Sequence, residues 1–215
     1  MMQNRFNTYI FLALLGLVSL TSCENKHDAL PILGHKSIEG TDTTYHQIAD
    51  FAFVDQDSQL VTNATFSDKI YVADFFFISC PTICPVMKKQ MIRVYEKFKD
   101  NPEVALLSHT IDPRHDSVSV LKEYASQLGI KTEKWHMVTG KTETIYDIAL
   151  KSYMVTAMED STAKDEGGII HSGAFVLVDK NRRIRGQYDG TKEEEVNQLM
   201  KDMEKLLKEY AKEKK

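Results

Sequence analysis

Cysteine, proline and tryptophan are scarce in this chain. Of 215 residues, three are cysteine, five are proline and one is tryptophan. So few cysteines exclude a small scaffold stapled by several disulfides. So few prolines, with ten glycines, exclude a collagenous or low-complexity chain. The early apolar stretch Tyr9–Leu20 falls short of the roughly 20 residues that a bilayer-spanning helix needs. Basic residues form no stripe and do not interleave with aromatics, and the net charge is -4, so nucleic acid is not an expected partner. There is no internal repeat. What is present, 42% hydrophobic residues in a chain of this length, suits one globular domain with appendages.

The first residues point to export. Arg5 precedes the uncharged stretch Tyr9–Leu20, and small residues follow it, as in a secretory signal over residues 1–22. Leu20-Thr21-Ser22-Cys23 resembles the lipobox of bacterial lipoproteins. That resemblance implies lipidation of Cys23 and a membrane anchor at the periplasmic or outer face of the cytoplasmic membrane. Several acyl chains would hold stably, since each buried methylene contributes about 0.8 kcal/mol. Residues 23–50 are mixed polar with Pro31, Gly34 and Gly40 and no sustained period. They read as a tether and lead-in segment, and 51–215 as the domain with its C-terminal helix.

Within the domain, Phe51 to Val61 reads as a small hairpin turning at Asp55–Ser58. Ile70 to Ile78 is apolar except for Asp74, as a strand buried on both faces is. Pro85 can open a helix, whose apolar stripe runs through Met87, Met91, Val94, Tyr95 and Phe98. Val104–Ile111 is the next strand. Asp116 or Ser117 can cap a helix that Gly129 stops. Trp135–Val138, a helix from Thr142, a loop over Glu159–Gly168, a hairpin from Gly173 to Tyr188 and a final helix from about Thr191 complete the order. Such alternation predicts an α/β fold, a central mixed sheet flanked by helices. With two thiols at the end of the first long strand, the layout is thioredoxin-like.

With Cys23 assigned to the leader, Cys80 and Cys84 remain. Four residues apart, they close too little chain for a bracing disulfide, whose effect grows with loop length. A helix start favours thiolates, so the pair suits either a redox disulfide or a soft ion such as monovalent copper. A third ligand would favour the ion. Of the seven histidines, His27, His35 and His46 lie in the tether, His109 and His136 in strands as structural residues, and His115 in a solvated loop. His171 ends a glycine-bearing loop just before a strand. In a thioredoxin-like layout that loop faces the thiol-bearing helix start. Met87 is soft, but it belongs to the apolar stripe of its helix. No catalytic residue separate from this pair is expected.

Four stretches together carry a family likeness: Cys80-Pro81-Thr82-Ile83-Cys84-Pro85; Ile111-Asp112-Pro113 with Asp116-Ser117 and Leu121-Lys122-Glu123-Tyr124; Trp135 through Thr139-Gly140; and His171-Ser172. In this order the chain resembles the Sco/SenC family of copper-binding, thioredoxin-like proteins over roughly residues 50–195. The resemblance implies that Cys80, Cys84 and His171 bind a copper ion. It also implies delivery of copper to the dinuclear copper centre of a cytochrome c oxidase subunit, with a separate copper donor upstream. An alternative is a thiol-disulfide oxidoreductase that keeps the oxidase's copper-site cysteines reduced, which uses the same cysteines without the histidine. Phe77-Ile78-Ser79 stands where many relatives carry a Gly-Tyr-Thr-like run, and Arg114-His115 where the family usually shows an arginine. A thiol peroxidase usually has a threonine three residues before its cysteine. Here Phe77 and Pro81 hold those places.

Overall fold

The computed structural model describes residues 29–159 and 169–213. Cys23, the predicted signal and most of the predicted loop over Glu159–Gly168 lie outside the described residues. In chain order the strands are β1 (Lys36–Glu39), β2 (Asp42–Tyr45), β3 (Ala52–Asp55), β4 (Leu60–Thr62), β5 (Ile70–Phe76) and β6 (Val104–Thr110), then β7 (Trp135–Thr139), β8 (Ala157–Glu159), β9 (Ile169–His171), β10 (Ala174–Val178) and β11 (Ile184–Asp189). The helices are α1 (Cys84–Phe98), α2 (Val118–Leu128), α3 (Thr142–Ile148) and α4 (Glu193–Glu213).

Among the described residues, seven strands form one mixed sheet in the order β11-β10-β5-β6-β7-β3-β4. Its centre, β5-β6-β7, is parallel, and β3, β10 and β11 join antiparallel. Every residue of β5 and β6 is buried, which explains their continuous apolar runs. The helices cover both faces with single apolar stripes. In α1 the buried side is Cys84, Met87, Met91, Val94, Tyr95 and Phe98, at helical spacing. In α4 it is Val196, Leu199, Met203 and Leu206, with Glu193–Glu195 in the first turn complementing the helix dipole. Ser117, not Asp116, caps α2, its side chain accepting from the Val120 amide at 3.5 Å. Gly129, left-handed at φ 66°, ends that helix.

Two hairpins escape the sequence pattern. Strands β1 and β2 pair with Lys36 opposite Tyr45, inside the segment read as tether. β8 and β9 pair with Ala157 opposite His171. The segment before β1 is docked: the Leu33 amide donates to the Ile184 carbonyl at 2.8 Å. Arg185, nearly buried, donates to the carbonyls of Leu30 (2.7 Å) and Pro31 (3.0 Å) and pairs with Asp179 and Glu209.

Candidate metal centre

The thiol loop begins where β5 ends and stops at the first turn of α1. Pro85 occupies that turn, where a missing amide costs nothing. One carboxylate of the neighbouring β6–α2 loop holds it in place. The Ile78 amide donates to Asp116 Oδ2 at 3.1 Å, and the Thr110 hydroxyl donates to the same oxygen at 2.6 Å. In the sequence Asp116 reads as a helix cap. Its structural work is to pin the backbone two residues before Cys80. Asp112 in that loop pairs with the solvent-facing ring of His115 at 2.7 Å.

Cys80 and Cys84 are both reduced and nearly covered, at 6% and 7% exposure. Their sulfurs face each other, with the Cys84 thiol donating to Cys80. The two acidities diverge. At Cys80 burial pushes the thiol up. Donation from the amides of Cys84 and Thr82 and from the side chains of Cys84 and Thr82 outweighs it, so its pKa falls below the ordinary 9.0. Converging amides of this kind form a nest for negative charge. At Cys84 burial dominates and raises the pKa strongly, the charges of Cys80 and Asp74 adding to it against one amide bond from Phe77. Cys80 is therefore the more acidic of the two thiols and Cys84 the one that holds its proton more firmly.

Behind Cys84 lies a cavity of about 20 Å³ lined by Asp74, Cys84, Met87, Ser108, Tyr124 and Trp135, with room for about one water. The carboxyl of Asp74 is pushed up to about 7 by burial, against the lowering effect of the Ser108 hydroxyl that donates to it. The Trp135 indole in turn donates to Ser108 at 2.8 Å. Asp74 reads in the sequence only as the exception in an apolar run, and that exception is the signal for it. Met87 is fully covered in the helix stripe.

The third predicted ligand belongs to the same end of the molecule. His171 closes β9, and the next amide, of Ser172, donates to the Thr156 carbonyl at 2.9 Å. A Cβ placed on Gly173 would lie 3.8 Å from Ile83 Cδ1, so the backbone two residues after His171 packs against the residue before Cys84. The His171 side chain lies outside the described residues. His109 and His136 are structural: His136 pairs with Asp55 at 2.9 Å, and His109 is fully buried among Phe51, Phe53, Phe75 and Tyr153. Two buried thiols on a strand-to-helix loop, with a histidine-bearing strand end beside it, can hold a soft metal ion or exchange with a disulfide.

Known proteins resemble this chain in sequence and fold. The chain is 27% identical over 164 residues to the SCO1 protein homolog of Bacillus subtilis, covering 75% of this chain and 83% of that one. A SCO1/SenC family lipoprotein from Bacillus anthracis has a solved structure that matches with a TM-score of 0.68 at 26% identity, over 75% of this chain and 95% of that one. BsSco, described as a member of the Sco family of cytochrome c oxidase assembly proteins with a disulfide switch, matches with a TM-score of 0.65 at 26% identity, over 75% and 93%. Arabidopsis thaliana ScoI, solved with copper bound, shares the fold with a TM-score of 0.60 at 24% identity, over 74% and 98%. The SCO1/SenC family model itself matches residues 39–208. That span runs from the first hairpin through the thiol loop and the His171 strand into the last helix, and the chain belongs to the SCO1/SenC family.

Proposed function

We propose that this protein is a membrane-tethered copper metallochaperone that delivers copper to the dinuclear copper centre of cytochrome c oxidase. Cys80, Cys84 and the imidazole of His171 take the ion, and Cys23 carries the lipid anchor. The observation that carries this reading is the pair of free, nearly covered cysteines on one loop, with the amides of Thr82 and Cys84 directed at the Cys80 sulfur and the backbone after His171 packed on Ile83. Soft sulfur ligands with one imidazole favour monovalent copper. The copper-bound and oxidase-assembly relatives support it. Anchoring would raise the local concentration at a membrane-bound target. Copper titration tests it: the reduced protein holds tightly one equivalent of copper more than the Cys80→Ser, Cys84→Ser variant. Equal binding by both ends the proposal.

The unequal acidities favour a second reading, reduction of a disulfide in the oxidase subunit. The Cys80 thiolate attacks one partner sulfur and displaces the other as a thiolate. Cys84, giving its proton to the displaced partner thiolate, then attacks the Cys80 sulfur of the mixed disulfide and frees the second partner sulfur as a thiolate. The partner gains two electrons and this chain ends as the Cys80–Cys84 disulfide. His171→Ala separates the readings: copper retention collapses under the first, and disulfide reduction survives under the second.

A further inference from the structure

Away from the thiols, a second group of metal-binding side chains meets where the chain enters the domain. The β1–β2 register continues one step past Lys36 and Tyr45: the His46 amide donates to the His35 carbonyl at 2.8 Å. This sets the two histidines directly across from each other, where side chains share one face of the hairpin. Their ring centroids are 6.2 Å apart at an interplanar angle of 72°. Two imidazoles sharing one three-coordinate ion through metal–nitrogen bonds of ~2 Å stand with their centroids ~5.5 Å apart, so a small turn of the exposed His35 ring brings the pair to chelating distance.

Three further features prepare the place. First, His46 Nε2 lies 2.7 Å from the Ser152 carbonyl. A carbonyl only accepts, so Nε2 carries the proton and Nδ1 keeps its lone pair. Metal-binding histidines are oriented in this way by a carbonyl on the other nitrogen. Second, the methyl end of Met154 lies beside His46 across Gly34: a Cβ on Gly34 would fall 2.9 Å from Met154 Cε and 2.7 Å from His46 Cβ. Third, Gly34 sits at φ +101°, a conformation and a closeness that only glycine accepts, and its missing side chain keeps His46 and Met154 next to each other. Met154 is itself held in place by the turn that follows α3, where its amide caps Ala149.

We infer that His35, His46 and Met154 form an auxiliary site for monovalent copper at the neck of the domain. Two imidazoles and a thioether are a soft set that favours this ion over hard cations. The site connects to the thiol end through a short stretch of chain. Only one residue, Val155, lies between Met154 and Thr156, a span of at most ~7 Å of extended chain, and the Thr156 carbonyl holds the Ser172 amide beside His171.

The full chain carrying Cys80→Ser and Cys84→Ser isolates the neck site and keeps the test apart from that of the thiol centre. Monovalent copper is titrated in competition with a chromophoric chelator, and X-ray absorption reports the neighbours of the bound ion. The expected result is one retained equivalent per chain with nitrogen and sulfur neighbours. Adding His35→Gln, an exposed change harmless to folding, weakens retention about tenfold or more, and adding Met154→Leu removes a sulfur neighbour. Unchanged retention with both added changes, or tighter binding of zinc than of monovalent copper, overturns the assignment.

Discussion

Cys80 and Cys84 occupy one loop and yet titrate apart, because the amides of Thr82 and Cys84 converge on one sulfur while the other faces Asp74 across a small apolar-walled space. Alkylation therefore discriminates between them. With iodoacetamide and mass mapping over a pH series, Cys80 is modified with a midpoint below 9.0, and Cys84 reacts only at higher pH. Equal midpoints would refute the split. A second residue governs acid stability. Burial depresses His109 from 6.5 to about 3, against one weak bond to the Asp74 carbonyl. Its ring stays neutral in the fold while the unfolded chain takes up a proton. Stability on this account is full above about pH 6.5 and is lost as pH falls toward 3, by up to about 1.4 kcal/mol per pH unit crossed. Urea melts of wild type and His109→Phe at pH 7 and pH 5 report it: the gap between the two pH values shrinks in the variant.

Among the elements, the N-terminal segment is fastened by one cation. Arg185 on β11 reaches the carbonyls of Leu30 and Pro31 and the carboxylates of Asp179 and Glu209, and Glu209 on α4 also accepts the Leu30 amide at 2.8 Å. Removing one partner of a buried ion pair strands the others, at a cost of about 3–5 kcal/mol. Arg185→Ala is expected to lose that amount in chemical denaturation and to raise hydrogen exchange at Leu33, whose amide bonds to the Ile184 carbonyl. Exchange at Leu33 unchanged from wild type would show that Arg185 does not fasten the segment.

At the scale of the molecule, the central strands and the helices are legible in the sequence because burial on both faces, or on one stripe, leaves a period in the residues. The hairpin β1–β2 is not, because its strands are almost wholly exposed and its place is set by Arg185 and Ile184, some 150 residues further along the chain. The thiols are legible from their spacing and from the Pro85 helix start. Their unequal acidity is not, since it depends on which loop amides point inward. Between Asp116 and Ser117 the sequence does not choose the cap; Ser117 is the cap, and the bond of Asp116 to Ile78, 38 positions away, leaves no local signal. His35 and His46 look like spacer residues until the register sets them opposite each other.

The docking of Leu33 on Ile184 has a geometric outcome. Ile184 pairs with Val178, and Val178 with Tyr71, at the opening end of β5, whereas the sulfurs follow its closing end. A leash running from an acylated Cys23 would leave the body at the far pole from the sulfurs, which then point away from the lipid by about the length of a seven-residue strand, ~20 Å. The protein would meet a target whose copper-accepting cysteines stand clear of the headgroups.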